Sequence, residues 1–138
     1  MAESELFGMD LLLGEYCRRI DSRDLEGLSA VFTPNCQVSY GDVHLNGLPA
    51  LRLFLQRELA RFASTRHELV SFERLDSGDA GLRGRSKIEA WHRFVTRTDR
   101  PRPDLTIFGH FESNFVPTPT GLRIAKHLGV EDDRKTES

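Results

Sequence analysis

The apolar residues of this 138-residue chain change their spacing near its middle, and that change limits the folds open to it. In the first half they recur every three or four positions, as on one face of a helix; from His67 onward they fall into strand-like segments. Leu6, Met9, Leu12, Leu13, Tyr16, Cys17 and Ile20 predict a first helix. Leu25, Leu28, Val31 and Phe32 predict a second, with Asp21 or Ser22 as its N-cap. Leu51, Phe54, Leu55, Leu59 and Phe62 predict a third, capped by Asn46, with Pro49 in its first turn. Between the last two, Cys36, Val38 and Tyr40 mark one face of a short strand. Four longer strand segments follow, "HELVSFERL", "GLRGRSKIEAWHRFVTR", "LTIFGHFESNFVPT" and "GLRIAKHLGV", divided by turn signals at "DSGD", "RPRP" and "TPTG". Helices first and antiparallel strands afterwards predict an α+β fold, with three N-terminal helices packed on one face of a curved, mostly antiparallel sheet so that together they enclose a cone.

Charge excludes some partners. The formal net charge is −2 with both signs interspersed, which gives no long-range pull on nucleic acid or an anionic membrane. The most basic stretch, "TRTDRPRPD", is broken by prolines and acids and reads as a loop. "MAESELFGMDLLLGEY" has no basic leader, and acids interrupt its apolar residues, so neither a signal peptide nor a membrane span is expected; the expected location is cytoplasmic. Cys17 and Cys36 are too few for a disulfide framework and lack metal-ligand spacing, so they are expected to be buried thiols. Neither metal nor cofactor is expected. Residues 1–130 are read as one domain, and "EDDRKTES", 131–138, as a disordered tail, because it has no apolar residue to offset the entropy of ordering.

The strand "IEAWHRFV" raises a chemical question. Ser86, Ile88, Ala90, His92 and Phe94 share one face and the charged residues share the other, so a titratable ring is sent inward where Leu would pack without a desolvation penalty. Tyr40 shares its face with Val38 and Cys36, and Tyr16 lies one turn before Ile20 on the buried stripe of the first helix. Asp21 has a simple explanation as a helix cap, and the direction of His67 is left open because both faces of its strand are equally apolar. Each residue alone can be explained by packing. Together, two imidazoles, two phenols and a carboxylate can move a proton: the acid fixes a histidine tautomer, the histidine abstracts a proton, and a phenol polarises a carbonyl. His110 and His127 are assigned to the outer face by alternation, and Trp91, on the charged face of its strand, suggests an oligomer contact.

The segments "YCRRIDSRDLEGLSAVFTPNCQVSYG", "TRHELVSF", "WHRFV", "FGHFESNF" and "GLRIAKHLG" resemble the SnoaL-like and scytalone dehydratase-like branch of the nuclear transport factor 2-like superfamily, from about Leu11 to Gly129. The resemblance implies a cone-shaped α+β barrel with a deep apolar pocket, often dimerised through the outer sheet face. It implies that Asp21 pairs with His92 across the cone, that His67 is a second pocket histidine, and that Tyr40 polarises the substrate carbonyl. A second polarising tyrosine would precede Asp21, where this chain has Ile20; Tyr16 is the stand-in, at Tyr-x4-Asp spacing. Ser113 resembles a pocket serine, while Phe115 stands where an asparagine is expected. Substrate contacts are expected from Ser113, Phe115, Phe111, Phe54 and Ile20.

The expected function is a cofactor-independent acid–base enzyme, a dehydratase, isomerase or cyclase, acting on a small apolar cyclic or polyketide-like carbonyl compound of secondary metabolism. His92 is its expected base, and a homodimer its expected assembly. The alternative is a small-molecule-binding or scaffold protein of the same fold that does no chemistry, since fold alone does not settle function.

Overall fold

A computed structural model describes residues 2–75, 81–96 and 101–137, with side chains from Gly8 onward. The "DSGD" turn, most of the "TRTDRPRPD" loop and the side chain of Leu6 lie outside the described residues.

The first helix, α1 (Ala2–Ser22), buries Met9, Leu13, Tyr16, Cys17 and Ile20, the i, i+4, i+7 stripe of a helix with one face on a core. It continues through Asp21, so that residue sits in a last turn and caps nothing that follows. The helix closes in a Schellman turn. The Arg23 N–H donates to the Ile20 carbonyl at 3.1 Å and the Asp24 N–H to the Arg19 carbonyl at 2.9 Å. Arg23 has φ 64°, the left-handed conformation usually given to glycine at this position.

The second predicted helix is a single 3₁₀ turn, Glu26–Ala30. Its start is broken by the left-handed Arg23, and Gly27 and Ser29 are weak helix formers. Leu28, Val31 and Phe32 are nonetheless fully buried, so the apolar spacing identified core residues but not the element. The other α-helix is α2 (Leu48–Leu59), which buries Leu48, Leu51, Leu55 and Leu59; its N-cap is Gly47 rather than Asn46. Among the described residues there are therefore two α-helices where three were predicted.

Six strands form one sheet: β1 (Phe32–Tyr40), β2 (Val43–Asn46), β3 (Phe62–Leu75), β4 (Leu82–Phe94), β5 (Leu105–Thr118) and β6 (Gly121–Thr136). Their order is β2-β1-β6-β5-β4-β3, antiparallel throughout except for the parallel β1–β6 pair. The sheet curves but does not close, because β2 and β3 are its two edges and do not pair. The expected barrel is thus an open sheet with helices on its concave face.

Glu131 to Thr136, predicted as a disordered tail, form the end of β6 and pair with Leu105 to Gly109 of β5. Their side chains are exposed, as their composition requires, while the backbone gains a ladder that needs no apolar side chain.

Candidate active site

Two polar groups, each partly buried, lie between α1 and the sheet. The first gathers Asp21, Thr65, His67 and His92. On β4, Ser86, Ile88, Ala90, His92 and Phe94 are buried and alternate with exposed charges, as their spacing predicted. On β3, Val70 is an extra residue in the pairing with β4: Leu69 faces Ile88 and Ser71 faces Lys87. That bulge moves Phe72 onto the face shared by Thr65, His67 and Leu69, which is why strict alternation left the direction of His67 undecided.

The Asp21 carboxylate accepts three hydrogen bonds from β3. His67 donates from ring Nδ1 at 2.7 Å and from its backbone N–H at 2.7 Å, and Thr65 donates from Oγ1 at 3.0 Å. Thr65 in turn accepts from Arg23 Nη1 at 2.8 Å. Burial raises the Asp21 pKa, but the bonds from His67 and Thr65 outweigh it, and the carboxyl is held below its ordinary value. The aspartate therefore pairs with His67, not with His92. A carboxylate on Nδ1–H fixes the tautomer that leaves the His67 Nε2 lone pair free.

The ring of His92 lies 5.8 Å from that of His67, nearly perpendicular to it, and its Nδ1–H donates to the Leu105 carbonyl at 3.3 Å. Burial and the neighbouring His67 push the His92 pKa down, so its ring is neutral near pH 7, with Nε2 as an acceptor. Phe62 packs on the same ring at 4.7 Å.

The second group is Tyr16, Tyr40, His127 and Ser113. The two phenol oxygens are 2.6 Å apart and share a hydrogen bond. Burial is the first cause that raises both phenol pKa values, so both stay protonated near neutrality. The ring of Tyr40 stacks on Phe54 and lies over Gly129, whose missing side chain makes room for it. Ser113 Oγ and His127 Nδ1 share a hydrogen bond of 2.8 Å. The His127 ring packs against Tyr16 and Phe111, with centroids at 5.1 and 4.6 Å. Burial drives its pKa down to about 3.

His127 was assigned to the outer face and is instead fully buried. Ala125 is an extra residue of β6, since Phe115 faces Ile124 and Asn114 faces Lys126, so Ile124 and His127 both point inward despite their odd separation. His110 is on the outer face as expected and pairs with Asp132 at 2.8 Å. Trp91 is flanked by the guanidinium groups of Arg66 and Arg93, at 5.9 and 5.2 Å from its ring.

Ile20, Phe111, Phe115 and Ser113 are buried core residues and Phe54 is partly buried against them. Spacing missed Thr65, Arg23 and His127. Thr65 alternates with His67, and that was its one legible signal. Among the described residues, no cluster of His, Cys, Asp and Glu has the arrangement of a metal site, and no helix is long and apolar enough to cross a membrane.

Residues 11–127 match the SnoaL-like domain. The chain belongs to the SnoaL-like family. The uncharacterized protein Rv2910c of Mycobacterium tuberculosis is 28% identical over 129 residues, covering 91% of this chain and 84% of that protein. Two solved structures share the SnoaL-like fold at low identity. A proposed scytalone dehydratase of Novosphingobium aromaticivorans superposes with a TM-score of 0.85 at 20% identity, covering 99% of this chain and 90% of the other. The hexachlorocyclohexane dehydrochlorinase LinA-type3 of Novosphingobium barchaimii gives 0.85 at 10% identity, covering 99% and 92%.

Proposed function

We propose that this SnoaL-like protein is a cofactor-independent acid–base catalyst, a hydro-lyase or an isomerase or cyclase, acting on a small apolar cyclic or polyketide-like carbonyl compound. The observation that carries the reading is the threefold hydrogen bonding of Asp21, which holds an ionised acid against His67 Nδ1 and leaves Nε2 as a base. His67, not His92, abstracts the proton next to the carbonyl. The enolate oxygen is met by the phenol pair, which keeps one O–H beyond the bond the two hydroxyls share. Asp21 and Tyr16 are five residues apart on α1, about 7.5 Å along its axis, a span suited to a one- or two-ring substrate. In a dehydration, the proton taken from carbon by Nε2 leaves on the departing hydroxyl as water, which restores neutral imidazole. His92, kept neutral, holds the substrate hydroxyl as an acceptor. The solved neighbours described as a dehydratase and a dehydrochlorinase support elimination chemistry on this fold. A homodimer through the outer sheet face accompanies this reading.

A panel of cyclic β-hydroxy ketones and their dehydrated products, assayed by absorbance of the conjugated product, tests it. His67→Asn is expected to reduce turnover by about 10²–10⁴-fold, and Asp21→Asn to do the same by releasing the tautomer. Full turnover in His67→Asn refutes the assignment of the base.

A second reading, a ligand-binding protein without chemistry, is favoured by Ile20 and Phe115, each 2% exposed, which seal with hydrocarbon the positions where polar groups were expected. It predicts ligand binding with no turnover in the native chain and no effect of His67→Asn on affinity.

A further inference from the structure

A cavity of about 560 Å³ opens between the Schellman turn and α2, lined among others by Arg23, Leu25, Glu26, Arg52, Leu59 and Phe62. Its size is that of a site for a small organic ligand. Phe62 forms part of its wall and packs on His92 with its ring, so the cavity is one aromatic ring away from the histidines. Arg23 also joins them, through Thr65 to Asp21.

The two arginines are built alike. Both are half-buried and both are held by neutral oxygens. Arg23 donates to the Ile20 carbonyl at 2.9 Å and to Thr65. Arg52 donates to the Leu25 and Glu26 carbonyls at 3.0 and 3.1 Å. Neither makes an ion pair among the described residues, a trait shared with the half-buried Arg123, also held by neutral oxygens, whereas Arg18, Arg19, Arg61, Arg85, Arg93 and Arg134 all make one. Asp24, which also lines the cavity, is already engaged by Arg19 and the Gly27 N–H, and Glu26 is exposed. A partly desolvated cation normally finds a counter-charge, and a guanidinium fixed in place by backbone carbonyls is preorganised to take one bidentately.

Arg23 adds an independent sign. It is the one non-glycine residue with positive φ among the described residues, at the position where glycine would close the turn without strain. The turn needs left-handed backbone there, which glycine would supply without strain, so the turn itself gives no reason for an arginine.

We infer that this cavity is a recognition subsite for an apolar ligand bearing a carboxylate, with Arg23 and Arg52 as the anion-binding donors and Leu25, Leu59 and Phe62 as the apolar wall. The inference deepens the acid–base reading, on which the identity of the reacting end rests, by giving the substrate an acidic group remote from the reacting carbon.

Calorimetric binding of 4-phenylbutyrate against its neutral amide tests the subsite without any turnover. The carboxylate is expected to bind about tenfold more tightly than the amide, the scale of a charge-assisted hydrogen bond, and the difference to shrink with added salt. Arg52→Gln is expected to reduce the preference to about threefold or less, the remaining arginine accounting for what is left. Arg23→Gly, which keeps the turn because glycine suits its backbone, is expected to do the same. Glu26→Gln, on an exposed side chain, is expected to tighten the carboxylate about two- to threefold and leave the amide unchanged. Equal affinity for the two probes, no binding of either at millimolar concentration, or a preference untouched by both arginine replacements overturns the inference. His67→Asn separates the two readings: it should abolish turnover and preserve the preference. Loss of the preference in that variant would place carboxylate recognition at the histidine and overturn the subsite.

Discussion

Asp21 shows how one side chain can serve two ends. Its carboxylate pins the last turn of α1 to β3 through Thr65 and His67, and the same bonds fix the tautomer of His67. A structural role and a chemical one are separable by experiment, because Asp21→Asn keeps the shape and loses the charge. It is expected to cost about 1–3 kcal/mol of stability in urea melts, the range for hydrogen bonds to a charged group, with a loss of turnover too large for that destabilisation to explain. The phenol pair behaves differently. Tyr40→Phe takes from the buried Tyr16 hydroxyl the phenol it bonds to, and a loss of about 1–3 kcal/mol is expected by the same measurement. Gly129→Ala reaches the same pair sterically, since an added Cβ would press on the Tyr40 ring at 3.0 Å.

At the scale of elements, most of the fold was legible because helices and strands impose different spacings on apolar residues. Both α-helices and the inward face of β4 follow that rule. What was hidden has a common cause. Single extra residues, Val70 in β3 and Ala125 in β6, reverse the alternation beyond them, so His67 could not be oriented and His127 was placed on the wrong face. The pairing of Asp21 with His67 rather than His92 was hidden for a different reason: it depends on where α1 crosses the sheet, which local spacing does not encode. The end of β6 tests the limits of composition. Truncation after Val130 should be neutral if residues 131–138 carry no structure. In this fold it should instead strip the partner from Leu105 to Gly109, speed amide exchange there, and lower stability measurably, because Leu105 also holds His92. Hydrogen exchange followed by mass spectrometry distinguishes the two outcomes.

Across the whole molecule, the buried histidines make stability depend on acid. His127 and His92 both have folded pKa values below the ordinary imidazole value, so the folded state disfavours their protonation. Their contribution is complete above about pH 6.5, the unfolded value, and falls away as the pH drops toward the folded values, about 3 for His127. Asp21, also depressed, adds a further loss below about pH 4, the unfolded carboxylate value. Denaturant melts should show a plateau near neutrality and then a decline of up to about 1.4 kcal/mol per pH unit for each histidine. His127→Phe, isosteric enough for its aromatic surroundings, should flatten that slope; an unchanged profile would show that His127 is not the group responsible.

The turn that ends α1 has a consequence for how this molecule can diverge. Asp21 and Arg23 are two residues apart, one fastened to the histidine and the other facing the cavity. Remodelling that turn to admit a new guest would disturb the acid as well. Arg52 and Gln56 line the same cavity from α2 with no bond to the acid. Natural drift in ligand preference should therefore accumulate on α2, leaving the tip of α1 comparatively frozen.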